Sequence, residues 1–166
     1  MSQKISTQWK IVTSLALSLL LMGCGEDPQE KMLKQAVAIE NSDECHLCGM
    51  IIANFPGPKG EAFQKGHDDV MKFCSTRDLF SYLLQPENQR QVRQVFVHDM
   101  SKTPWQKPED QYFIDAKEAW FVIGSSQTGA MGQTLASFST KEDALAFSKK
   151  FGGKLYQFDE ITIDIL

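Results

Sequence analysis

FCSTRDLF (residues 73–80) and SFSTKEDALAF (137–147) pass through the same order of residue types. Each has an aromatic strand end, a hydroxyl residue, an acid three places later and an apolar run. Ser75 or Thr140 can cap a helix, while Asp78 or Asp143 sits in its first turn, where a negative charge and a returning side chain both help. The spacing predicts one helix from Ser75 through LFSYLLQ, with Leu79, Phe80, Leu83 and Leu84 on one side and Pro86 closing it. It predicts a second from Thr140, burying Ala144, Phe147 and Phe151 and stopped by Gly152-Gly153.

Outward from these junctions the strand signals repeat as well. In the first copy LCGMIIANF (47–55) is apolar enough for a strand and is stopped by PGPKG (56–60); EAFQKG (61–66) and VMKFC (70–74) follow. In the second, AWFVIGS (119–125), a glycine-containing loop SQTGAMGQ (126–133) and TLASF (134–138) lead into the helix, and KLYQFDEITID (154–164) alternates like a last strand. VRQVFVHDM (92–100) reads as a strand between the copies, and SKTPWQKPEDQ (101–111), with its two prolines, as a loop. The expectation is an α+β domain over 43–166. It holds two β-β-α units, about 43–86 and 112–166, with mostly antiparallel short strands.

Before the domain stands MSQKISTQWK and then the apolar run Ile11–Met22, shorter than a membrane span and suited to the core of a secretory signal. Leu21-Met22-Gly23-Cys24 resembles the bacterial lipobox, whose cysteine is acylated and begins the mature protein. Residues 1–23 are then a lipoprotein signal, 24–42 a polar tether, and Cys24 the anchor in the bilayer, because every buried acyl methylene adds about 0.8 kcal/mol. Gly25 after the cysteine, where an aspartate would suggest inner-membrane retention, favours the outer membrane over the inner and a periplasm-facing domain. Removing Lys4 and Lys10 with the signal leaves 15 basic residues against 21 acidic ones, a net charge of −6. With no basic block, nucleic acid is not an expected partner.

Cys24 spent on lipid leaves Cys45, Cys48 and Cys74, an odd number for an oxidising compartment, so at least one thiol needs another purpose. Two of them sit with a histidine and a methionine in DECHLCGM (43–50). Four chemistries compete for that stretch. Cys45-His46-Leu47-Cys48 has the spacing of a dithiol oxidoreductase, but lacks the helix that normally follows. It could supply half a zinc site completed by Cys74 and His67, or form a plain Cys45–Cys48 disulfide. It could also hold Cu(I), a soft ion that prefers thiolate and thioether. On a strand Cys48 and Met50 would share a face. Met131, between Ala130 and Gly132 in a polar loop, has no apolar periodicity to explain it as core. His67 reads as a surface turn, His98 as a core or edge histidine, and Met71 and Met100 as packing residues; Cys74 reads equally as inert or functional. No nucleophile–base triad, catalytic carboxylate pair or phosphate-binding glycine loop stands out, which favours a binding protein over an enzyme.

Cys48-Gly49-Met50, HDDVMKFCS (67–75), Trp120 with its strand, Ala130-Met131-Gly132, ASF (136–138) and Gly152-Gly153 together resemble the NosL copper chaperones. The resemblance covers nearly all of the mature chain. It implies lipoproteins that serve nitrous oxide reductase assembly, paired β-β-α units like those of organomercurial lyase, and Cu(I) held by cysteine, methionine and histidine. It implies Cys48 and Met131 as copper ligands, and a periplasmic copper enzyme with its assembly factors as partners. The family loop commonly reads Met-Gly-His where this chain has Met131-Gly132-Gln133, and an amide is a poor Cu(I) donor. The missing donor is then expected from Cys45, Met50 or His46.

Overall fold

The computed structural model describes residues 34–166; the expected signal, Cys24 and the first part of the tether lie outside the described residues. Nine short strands and three α-helices make up the fold: β1 (Gly60–Gln64), β2 (Val70–Phe73), α1 (Thr76–Leu83), α2 (Pro86–Gln89), β3 (Val92–His98), β4 (Phe113–Asp115), β5 (Trp120–Ile123), β6 (Thr128–Gly129), β7 (Gly132–Gln133), β8 (Ala136–Phe138), α3 (Lys141–Phe151) and β9 (Lys154–Gln157).

The repeat is present in the topology. One antiparallel sheet has the order β2-β1-β3-β4 and the other β8-β5-β9. In both, the first strand lies in the middle, a hairpin partner flanks it, a helix follows, and the chain returns on the far side. The register agrees too: Phe73 faces Gly60 across the first hairpin and Phe138 faces Trp120 across the second. Both helices begin as their caps dictate. Ser75 Oγ accepts from the Asp78 N–H at 3.0 Å, and Thr140 Oγ1 from the Asp143 N–H at 3.1 Å. Leu79, Phe80 and Leu83 are buried on α1. On α3 only Ala144 is fully buried, with Phe147 half-buried against Phe138, ring centroids 5.1 Å apart. Gly60 lets α1 come close, since a Cβ there would stand 2.6 Å from Leu79 Cδ2. Phe80 meets Phe121 edge-on at 5.0 Å, so one core is shared by both units.

Three expectations fail, each for want of a strand partner. LCGMIIANF is not a strand: Ile51 makes one isolated bridge to Glu44, and Ile52–Asn54 is a 3-10 turn. Ile52 is instead pinned in the core from a loop, and the left-handed Gly49 (φ +71°) turns the backbone between Cys48 and Met50. The argument that strand alternation puts those two on one face therefore falls. KLYQFDEITID stops as a strand at Gln157, which already pairs with Trp120, the first residue of β5. Beyond it the ladder has no partner, so 3-10 turns follow and bury Ile161. TLASF is a strand only from Ala136, because the Leu135 N–H donates to the Thr76 hydroxyl and the Leu135 carbonyl accepts from it. Three elements went unread: α2, which Pro86 opens, β4 just past the 101–111 loop, and the small β6–β7 hairpin inside the 126–133 loop.

Residues 34–42 carry no regular structure but lie against the domain. Glu61 Oε2 accepts from the Val37 N–H at 2.9 Å, Asp110 Oδ2 from the Ile39 N–H at 2.8 Å, and Lys72 Nζ donates to the Ala38 carbonyl at 2.7 Å.

Candidate metal centre

The loop ahead of β1 and the start of α1 meet at four side chains. Residues 45–50 form a tight turn: the Gly49 N–H donates to Cys45 O and the Cys45 N–H to Met50 O, both at 2.8 Å. The His46 N–H ties this turn to β2 through Lys72 O at 2.8 Å. Cys74 follows β2 directly before the cap of α1, and Asp78 lies one helical turn on, so both point at the same place. One ligand atom each from Cys45, Cys48, Cys74 and Asp78 lies within 4.8 Å of the others. Cys48 Sγ is 3.4 Å from Cys74 Sγ, and Asp78 Oδ2 lies 2.9 Å from Cys74 Sγ, 3.6 Å from Cys48 Sγ and 3.7 Å from Cys45 Sγ. All three cysteines are free thiols; Cys45 and Cys74 are buried and Cys48 is exposed.

Crowding decides where the charge goes. The hydrogen bond from Cys74 pulls the Cys45 thiol down to about 5, whereas Cys74, on the other side of that bond, buried and facing Asp78, is held well above the ordinary range. Partial burial and the Cys45 charge push Cys48 up. Ionisation is thus easier at Cys45 than at its two neighbours, and a lysine stands nearby. Burial brings the Lys59 ammonium down to about 8, against the pull of Cys74 and Cys45, and its Nζ donates to Phe55 O at 2.7 Å and Pro56 O at 3.0 Å. Three thiol sulfurs gathered at one place with one exposed member suit a thiophilic ion.

The other residues expected at the site are placed as follows. Met131, 59 % exposed, stands on the turn of the β6–β7 hairpin. Just past that hairpin, Thr134 Oγ1 is 2.9 Å from the hydroxyl of Thr76, two residues after Cys74. Met50 is half-buried and packs on the core. His46 lays its ring edge-on against Phe73 and Tyr82, at centroid distances of 5.8 and 5.3 Å. His67 is in an exposed turn. His98 is fully buried, stacks on Phe113 at 3.9 Å and accepts the Lys59 N–H on Nδ1.

A family model, NosL, matches residues 36–166. The chain belongs to the NosL family. The copper-binding lipoprotein NosL of Stutzerimonas stutzeri is 46 % identical over 153 residues, covering 92 % of this chain and 80 % of the relative. That of Achromobacter cycloclastes is 31 % identical over 159 residues, covering 94 % and 81 %. Among solved structures, the crystal structure of the copper chaperone NosL from Shewanella denitrificans is 62 % identical with a TM-score of 0.79, covering 80 % of this chain and 99 % of that one. The solution structure of apo-NosL from Achromobacter cycloclastes is 29 % identical with a TM-score of 0.50, covering 64 % and 86 %.

Within this NosL-family fold, sequence reasoning singled out Cys45 and Cys48 but left Cys74 undecided and passed over Asp78. A signal was available. A cysteine directly before a hydroxyl cap, with the capping-box acid one turn later, places a thiol and a carboxylate together at a helix start. What no local pattern shows is that the Cys45–Cys48 turn folds over that start.

Proposed function

We propose that this NosL-family chain carries Cu(I) on Cys45, Cys48 and Cys74, with Met131 closing the site from its hairpin. It delivers the ion to a periplasmic copper enzyme, nitrous oxide reductase, and acts as a binding protein rather than an enzyme. The observation that carries the reading is the meeting of three free thiols at one point with one exposed edge. The names of the relatives, copper-binding lipoprotein and copper chaperone, support it. Thiolates match Cu(I) in softness, and the lowered Cys45 thiol is the readiest of the three to give up its proton to the ion. Delivery follows from exposure: a recipient's ligands can replace Cys48 and Met131 first and the two buried thiols afterwards. The third thiol supplies the donor that Gln133 cannot, which leaves His46 and Met50 to packing. Acylated Cys24 holds the domain at the periplasmic face of the outer membrane, close to the enzymes it loads.

Titrating the reduced full chain with Cu(I) against a competing chelator tests this. Cys48→Ser and Cys74→Ser should each weaken binding about hundredfold, roughly 2.7 kcal/mol, and Met131→Leu about tenfold. Tight one-to-one binding that survives in both Cys48→Ser and Met131→Leu overturns the assignment.

Asp78 favours one competing reading. Three thiolates and a carboxylate also make a tetrahedral zinc set. A structural zinc ion would unfold the domain on removal, so a chelator-treated chain that keeps its circular dichroism and its Cu(I) affinity rejects it.

A further inference from the structure

We propose that Cys48 and Cys74 form a reversible disulfide that locks the thiol cluster shut. The two sulfurs are 3.4 Å apart. Their exposures differ in the way a two-step exchange needs. Cys48 stands at the surface, whereas Cys74 is 0 % and Cys45 3 % exposed. An external disulfide can therefore meet only Cys48. The Cys48 sulfur attacks it, forming a mixed disulfide and releasing one external thiol, which takes up the Cys48 proton. Cys74, already in contact, then attacks the Cys48 sulfur and expels the second external thiol with its own proton. Two protein thiols are oxidised, one external disulfide is reduced to two thiols, and no other reagent is consumed.

The bond joins the 45–50 turn to the end of β2 across a separation of 26 residues, and both segments are already held together by the His46–Lys72 backbone contact. No large rearrangement is required. Cys45 is left as the only thiol of the cluster. The bridge itself follows from geometry alone; its consequence, that an oxidised chain cannot hold Cu(I), rests on the copper reading above. The chain would then accept metal only where reductant has reached it.

The test uses the full chain, metal-free, exposed to oxidised glutathione and mapped by mass spectrometry of peptides. The expected product links Cys48 to Cys74 and leaves Cys45 free. Cys45→Ser should still form the bridge, while Cys48→Ser should form none, both variants being checked for native circular dichroism. A Cys45–Cys48 bond, or three unpaired thiols after oxidation, overturns the proposal. Cu(I) titration of the same samples separates the two ideas. If the bridge maps as expected and the reduced chain binds no Cu(I), the copper reading falls and the disulfide stands. If binding drops at least a hundredfold on oxidation and returns with reductant, both hold.

Discussion

The two helix starts differ in what covers them. Aligned on their caps, Cys74 corresponds to Ser139, Ser75 to Thr140 and Asp78 to Asp143. At the second start Asp143 Oδ2 simply accepts from the Thr140 hydroxyl at 2.7 Å in the open, and Ser139 donates to Asp99 at 2.6 Å. At the first start the turn from Cys45 to Cys48 folds over the helix end, and the matching acid faces three thiols. The same local motif is a cap where solvent reaches it and a donor cluster where a second loop closes over it. The central strands contrast in the same way. Register places Glu61 of β1 where β5 has Phe121, and both are fully buried.

Core truncation should separate the two units most strongly. Phe80 and Leu145 occupy equivalent positions five residues after the caps, but Phe80 is buried and Leu145 is 51 % exposed. Phe80→Ala should cost about 3–5 kcal/mol in denaturant unfolding, and Leu145→Ala about 0.5 kcal/mol or less. Equal losses would mean that the shared core does not centre on α1.

A smaller effect distinguishes Glu61 from Phe121. Burial raises the Glu61 carboxyl from 4.5 to about 7, and its Oε1 has no hydrogen-bond partner. Between these values the folded chain holds a proton that the unfolded chain has lost. This contribution is therefore fully present below pH 4.5 and is lost as pH rises through 7. Glu61→Gln should flatten that part of the stability–pH curve by an amount on the order of 2 kcal/mol. A profile unchanged by the substitution would show that Glu61 titrates normally. The same acid holds the Val37 N–H, so amide exchange at Val37 should speed up in Glu61→Leu.

The smallest difference concerns the caps. Thr140→Ala should cost about 1 kcal/mol and Ser75→Ala, whose side chain is buried, nearer 2 kcal/mol. If the two costs are equal, cover by the cysteine turn adds nothing to the first cap.

Much of this architecture could be read along the chain because it rests on local rules. Ser75 and Thr140 cap because a hydroxyl followed by an acid satisfies the first amides of a helix wherever it stands. The short strands around Ala62 and Phe121 show beside glycines, and those around Phe73 and Val95 in their runs of apolar residues. The repeat follows from those two signals in order, and the motif residues were specific enough to point to the family. Strand length was less legible, since Gln157 ends β9 only because β5 has no further residue to pair with it.

From the amino-acid order alone came the two capped helices, the twofold β-β-α arrangement and the Cys45–Cys48 pair, all governed by neighbours within a few residues. Tertiary structure alone decided that Cys74 and Asp78 join that pair, that LCGMIIANF is a turn over a helix end rather than a strand, and that an acid is fully buried in β1. Those outcomes depend on contacts across some 30 residues, where packing and the burial of charge outweigh local preference.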